Sequence, residues 1–290
     1  MSKYLLYHGE CREVLPRFAK EFVDSVVCDP PYGLNFMGSD WDRIPEVGTW
    51  KEIHDSLKPG GWLAAFASPR TYHIMVTRIQ EAGFEIRDMI SWLYAQGMPK
   101  SGTLKPAQEP IVLARKLPAS NKLNVESCRL ESGRYPSNLI HDGSPTVKAM
   151  FPNNNPGCKP HRVKASVDSV QRLQQKGWGF SGTDKFVGYD DGDDLSAGRF
   201  FYCAKPSKAE RDAGTVSGNN HLTVKPVQLM RYLCRLLTPK HGLVLDPFMG
   251  SGTTGVAALL EGFTFIGIDS VKENVELANQ RIYHVDVEHD

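Results

Sequence analysis

Asp246-Pro247-Phe248-Met249-Gly250-Ser251-Gly252-Thr253-Thr254-Gly255 follows a short apolar run at residues 242–245 and leads into a small-residue apolar stretch that ends near Glu261. Strand, glycine-rich turn and helix in that order bring backbone amides and a helix N-terminus close to a polar ligand. Gly250, Gly252 and Gly255 satisfy G-x-G-x-x-G. That spacing suits a dinucleotide and an adenosine-bearing sulfonium about equally. Only about 35 residues follow Gly255, too few for the second half of a dinucleotide fold. A dinucleotide would have to borrow that half from the N-terminal strands. Residues 263–268 read as the next strand and end at Asp269, whose carboxylate can accept from two ribose hydroxyls. A tight turn with no ligand is the plain alternative, disfavoured by Asp246-Pro247-Phe248 and Asp269 standing together.

Outward from this loop, the flanks alternate apolar runs with helical spacing. Residues 22–28, 61–67, 84–94 and 111–115 read as strands, and residues 71–82 as a helix closed by Gly83. Beyond Lys225-Pro226, residues 227–237 read as a helix, and residues 253–261 as another. The pattern predicts an α/β fold with a doubly wound, Rossmann-like parallel sheet. Between 117 and 199, Pro, Gly, Asn and Ser interrupt the chain, as in Asn153-Asn154-Asn155-Pro156-Gly157, and apolar periodicity fades. The expected division is therefore a core first part at 1–116, an insertion at 117–199 and a core second part at 200–290.

The chain of 290 residues is 41% hydrophobic and 23% charged, ordinary values for a globular protein. Its apolar runs are far shorter than the roughly 20 residues a membrane helix needs, and Lys3, His8, Glu10 and Arg12 interrupt any export signal. These features predict a cytoplasmic protein without a membrane partner. The six cysteines are scattered with no Cys-x-x-Cys pair, so reduced thiols are expected and no metal site. Cys158 and His161 have ligand-like spacing but lack a second pair.

The net charge of +1 conceals an asymmetry. Residues 99–185 hold 14 Lys and Arg against 6 Asp and Glu. A phosphate-facing lobe on a neutral-to-acidic body has this pattern, with Lys159, Arg162 and Lys164 as candidate DNA contacts. A solvated basic surface is the competing explanation.

The second informative stretch is Asp29-Pro30-Pro31-Tyr32, at the end of the strand at 22–28. An exocyclic base amine is a poor nucleophile because its lone pair is delocalised into the ring. Acceptors on its hydrogens localise that pair. The Asp29 carboxylate and the Pro30 carbonyl can supply two, while Pro30-Pro31 stiffens the backbone. Tyr32 offers a ring face to a base that has left its stack. Taken alone, the tetrapeptide could be only a turn ending a strand.

Together these residues resemble the β group of DNA amino-methyltransferases, which act on adenine N6 or cytosine N4. In that group the catalytic motif comes first, the target-recognition region second and the cofactor motif last. The likeness extends through His8-Gly9-Glu10-Cys11, with Glu10 at the position of the family's usual aspartate, and through Gly33-Leu34-Asn35-Phe36-Met37-Gly38 with Trp41-Asp42. It continues through Phe200-Phe201-Tyr202-Cys203-Ala204-Lys205, Lys208-Ala209-Glu210-Arg211 and residues 221–226, in the manner of phage and prophage members.

The resemblance implies S-adenosylmethionine as cofactor and double-stranded DNA as substrate, with 117–199 as the target-recognition region. It implies Asp29, Pro30, Pro31 and Tyr32 as catalytic residues. Cofactor contacts would come from Glu10, Asp29, Thr223, Lys225, Pro226, Asp246, Pro247, Phe248, Gly250, Ser251, Gly252, Thr253 and Asp269, with Thr223 to Pro226 at the methionine end. Aspartate at position 29 resembles the adenine-N6 enzymes more than the cytosine-N4 ones. Cytosine N4, an RNA or protein-amide substrate, and a catalytically silent DNA-binding module are the alternatives. The family likeness is also compatible with a restriction endonuclease partner and with a homodimer.

Overall fold

The computed structural model describes residues 3–34, 41–94, 102, 104–118, 121–130, 135–144, 201–203, 205–216, 218–219, 221 and 223–288. In chain order the elements are β1 (Tyr4–His8), α1 (Cys11–Val14), β2 (Val23–Cys28), α2 (Val47–Ser56), β3 (Leu57–Phe66), α3 (Tyr72–Glu81), β4 (Glu85–Leu93) and β5 (Gln108–Arg115). They continue with β6 (Leu139–His141), β7 (Phe201–Tyr202), α4 (Lys208–Asp212), α5 (Val227–Leu237), β8 (Leu243–Asp246), α6 (Thr253–Leu260), β9 (Thr264–Asp269) and α7 (Lys272–Glu288).

The strands form one sheet in the order β1-β9-β8-β2-β3-β5-β4-β6-β7. Alternation along the strands sends successive residues to opposite faces, and both faces are buried. Trp62, Ala64 and Phe66 of β3 with Ile111 and Leu113 of β5 join one core, covered by α5, α6 and α7 through Leu233, Ala257 and Ile282. Leu63 and Ala65 of β3 with Val112 and Ala114 of β5 join the other, covered by α2 and α3 through Trp50, Ile53, Met75 and Ile79. This is the doubly wound α/β arrangement that the alternating pattern predicted.

The sheet is mixed rather than wholly parallel. β5 runs antiparallel to both β3 and β4. A strand buried on both faces reads as a continuous apolar run in either direction, so periodicity carries no sign of its polarity. β3 also starts earlier than the apolar run suggested, because Leu57 pairs with Val23 before the register shifts. The α3 helix ends as expected: Ala82 is its C-cap, and Gly83 follows at φ +106°.

Part of the segment expected as an insertion belongs to the core. Leu139–His141 forms β6 and pairs in parallel with β4. Asn124 binds the end of α5, donating from its backbone to the Leu236 carbonyl at 2.9 Å and from Nδ2 to the Thr238 carbonyl at 2.6 Å. Residues 145–200, with Cys158, Lys159, His161, Arg162 and Lys164, lie outside the described residues. No helix among the described residues is long and apolar enough to cross a membrane.

Candidate active site

Four neighbouring parallel strands deliver carboxylates to one sheet edge. β2 lies beside β8, β8 beside β9 and β9 beside β1, all pointing the same way. Their carboxyl ends carry Asp29, Asp246, Asp269 and Glu10 in turn. Sheet topology therefore joins two motifs separated by more than half the chain. The edge opens into a cleft of about 1010 Å³ lined by all four. Ligands of open α/β sheets bind at such carboxyl ends.

The glycine-rich loop is held from below and behind. Asp246 is buried; its Oδ1 accepts from the Phe248 amide at 3.0 Å and its Oδ2 from the Thr254 hydroxyl at 2.5 Å. Burial pushes its carboxyl up to about 7, with the negative charges of Asp29 and Asp269 adding to the effect. Asp269 accepts from the Gly250 amide at 2.8 Å through Oδ2, and from the Val271 amide and Asn274 Nδ2 through Oδ1. Arg281 of α7 is buried and donates from Nη1 to the Ser251 carbonyl at 2.8 Å, and to the Ser251 and Thr253 hydroxyls at 3.0 Å each. Burial lowers its guanidinium to about 10.

The three glycines do different work. Gly250, at φ +51°, lines the cleft, and a Cβ there would come within 3.0 Å of His221 Nε2. Gly252, at φ +79°, faces α7 instead, where a Cβ would sit 2.7 Å from the Ala278 Cβ. A Cβ on Gly255 would collide with Ile282 and Phe265. Gly250 makes room for His221 at the cleft wall; the other two glycines let α6 pack closely.

The catalytic loop leaves β2 at Asp29. Asp42, itself buried, accepts from the amides of Tyr32 at 2.9 Å, Gly33 at 2.8 Å and Leu34 at 2.8 Å, which fixes the turn after the two prolines. The Thr71 hydroxyl donates to the Tyr32 carbonyl at 2.7 Å. The Tyr32 hydroxyl donates to Asp29 Oδ1 at 2.6 Å. Burial and then the Asp29 and Glu109 charges hold that phenol well above its ordinary value, so it stays a neutral donor.

Lys225 enters this loop from the start of α5. Its Nζ lies 2.5 Å from Asp29 Oδ2, 3.1 Å from the Tyr32 hydroxyl and 3.3 Å from Glu109 Oε2. Burial alone would lower the ammonium, but the Asp29 and Glu109 carboxylates more than offset it and keep it charged. His221 nearby is also mostly buried, which lowers its imidazole below the usual value.

Of the expected residues, Asp29, Pro30, Pro31, Tyr32, Glu10, Thr223, Lys225, Asp246, Pro247, Phe248, Gly250, Ser251, Thr253 and Asp269 line the one cleft. Pro226 and Gly252 do not line it: Pro226 is the N-cap of α5, and Gly252 packs against α7. Glu109 and Arg281 escaped the sequence reading, and Asp42 entered it only as part of the family likeness, without a role. Glu109 is the second residue of β5, and only the antiparallel direction of that strand brings it to the active edge, opposite Trp92. Arg281 looks like an ordinary helix charge. Asp42 follows Trp41 in a quoted stretch, but its three amide contacts have no sequence signature.

The cleft fits an adenosine-bearing sulfonium. Carboxylates outnumber basic side chains along its wall, which favours a cation. Gly250 lines this cleft beside His221, with no side chain of its own to fill it.

A DNA methylase family, that of the N6 and N4 amino-methyltransferases, matches residues 23–280. The type II methyltransferase M2.MboI of Moraxella bovis is 42% identical over 310 residues, covering 98% of this chain and 89% of its own. The chain belongs to this family, and S-adenosylmethionine is its methyl donor. The DNA adenine methyltransferase YhdJ of Escherichia coli is 23% identical, covering 96% of this chain and 82% of its own. Among solved structures, the M1.HpyAVI–SAM complex superposes with a TM-score of 0.57 at 21% identity, covering 96% of this chain and 98% of that one. The cytosine-N4-specific PvuII DNA methyltransferase gives 0.57 at 19% identity, covering 97% and 86%.

Proposed function

We propose that this DNA methyltransferase modifies the N6 amine of adenine in double-stranded DNA, with Asp29 as the group that holds the amine. The observation that carries the reading is the position of Asp29: its carboxylate lines the same cleft as Gly250, Asp246 and Asp269, one strand away from the cofactor loop. An aspartate at the head of the catalytic motif and the likeness to an adenine-specific relative favour adenine over cytosine.

S-adenosylmethionine, when bound, supplies a methyl group already activated by its sulfonium. Gly250, Ser251, Thr253 and Asp269 would hold its adenosine, with Glu10 toward the adenine and Thr223 toward the methionine. Asp29 and the Pro30 carbonyl would accept from the two amine hydrogens and localise the lone pair, while the Tyr32 ring supports the flipped base. Once the amine nitrogen had taken the methyl, one of its protons would leave, and the Asp29 carboxylate could accept it. Residues 117–199 would carry target recognition, with Lys159, Arg162 and Lys164 positioning the DNA through phosphate contacts while other groups read the bases.

The test is methylation-aware sequencing of DNA from cells that express the protein, joined to transfer of labelled methyl to duplex DNA, RNA and protein. N6-methyladenine at one sequence context supports the proposal. N4-methylcytosine would move the target, and label only in RNA or protein would overturn it.

A further inference from the structure

The short contact between Lys225 and Asp29 conflicts with the role given to Asp29. Both carboxylate oxygens are engaged, Oδ1 by the Tyr32 hydroxyl at 2.6 Å and Oδ2 by the Lys225 ammonium at 2.5 Å. An ammonium on the carboxylate withdraws the negative charge that should localise the lone pair of the target amine. It also occupies the space an incoming amine must enter. Departure to solvent is closed to it, because the Lys225 side chain is only 9% exposed and is packed over the rings of Phe66 at 4.9 Å and Tyr32 at 5.5 Å. A buried charge left without a partner is strongly disfavoured.

A second acceptor is already in reach. Glu109 Oε2 lies 3.3 Å from Lys225 Nζ, and its side chain is 16% exposed. The Tyr94 hydroxyl is hydrogen-bonded to the same carboxylate, and Lys205, seated 3.9 Å over the Tyr94 ring, adds a positive charge beside it. Glu109 is thus positioned independently of Lys225, and a change of lysine rotamer can exchange one carboxylate for the other.

We propose that Lys225 is a placeholder for the target amine, seated on Asp29 until a base arrives and then handed to Glu109, which makes both of them positioning residues. This rests on the reading that Asp29 receives the base. The extruded base would displace the ammonium from Oδ2, and Glu109 would keep that charge neutralised inside the pocket. Asp29 would then turn its full negative charge on the amine. Without a base, the ammonium would keep the carboxylate paired.

A double-mutant cycle tests the hand-over. Glu109→Gln, Lys225→Met and the double variant are compared in single-turnover methyl transfer, at saturating S-adenosylmethionine, to a duplex carrying the site found by sequencing, with thermal melting as the check on folding. Glu109→Gln should slow transfer on the order of 100-fold, because the ammonium stays on Asp29. In the Lys225→Met background the same change should cost little, since no ammonium needs a new home. Multiplying losses would overturn the proposal.

Binding gives a second arm that needs no turnover. Preference for the cognate duplex over one whose target base lacks the amine should rise in Lys225→Met and fall in Glu109→Gln. Equal preference in all three proteins would also overturn it. A wild-type protein that methylates no DNA would instead sink the underlying reading.

Discussion

Arg281 Nη1 reaches the Ser251 carbonyl from the last helix of the chain, 2.8 Å away, and so fixes the loop that lines the cofactor end of the cleft. One buried guanidinium satisfies a carbonyl and two hydroxyls at once. Arg281→Met should leave all three unpaired. The expected loss of stability is about 2 to 4 kcal/mol, with weaker S-adenosylmethionine binding in the protein that remains folded. Urea unfolding and calorimetry check both, and Arg281→Lys should recover part of each.

Asp29→Ala should abolish methyl transfer while leaving cofactor affinity nearly intact, because the cofactor loop draws its own support from Asp246, Asp269 and Arg281. A fall in rate on the order of 100- to 1000-fold or more is expected. Loss of cofactor binding in step with activity would make Asp29 structural, and retained activity would put the chemistry elsewhere.

Asp269→Ala should weaken S-adenosylmethionine binding by about 1 to 3 kcal/mol. The Asp269 carboxylate both faces the cleft and anchors the Gly250 amide. Unchanged affinity by calorimetry in a folded variant would remove it from the site.

Gly252→Ala should destabilise the fold by roughly 1 to 3 kcal/mol, since the new methyl adds a contact with Ala278 to a left-handed backbone. Thermal melting of the variant measures this. An unchanged melting temperature would mean that α7 can move aside without cost.

Asp246 predicts a pH dependence. Its carboxyl is raised from 3.8 in the unfolded chain to about 7 in the fold, chiefly by burial. Between those values the folded protein keeps a proton that the unfolded chain has lost. Its contribution to stability should therefore be fullest at low pH, fall as pH rises through the window and level off above about 7. The slope should approach roughly 1.4 kcal/mol per pH unit. Asp246→Asn should remove this component, which is read from the difference between urea-unfolding curves of the two proteins across the window.

The strand and helix beginnings near the two motifs were legible because their signals are local. The α5 helix spans the residues that its apolar spacing marked out, and β8, α6 and β9 fall within a residue or so of expectation. Beyond them, β1, α1, α2, β6, β7, α4 and α7 went unread. β1, β6 and β7 are five, three and two residues long, and they become strands through neighbours far away in sequence. The apolar periodicity of α2 and α7 is diluted by charged residues. Local propensity is a weak guide where pairing and packing decide.

By itself the sequence determined the chemistry available to this protein: a carboxylate with two stiffening prolines, a glycine-rich turn before a helix, and an acidic residue ending the next strand. Those are properties of contiguous residues, so spacing and residue type suffice to recognise them. Tertiary structure decided which charges meet. The parallel order β1-β9-β8-β2 gathers four carboxylates at one edge, and the antiparallel run of β5 turns Glu109 toward Lys225 and Asp29. Arg281 reaches the cofactor loop only because α7 packs on α6 across glycines that lack a Cβ. Electrostatic interactions depend on distance in space and on burial, and neither quantity is written in the order of residues.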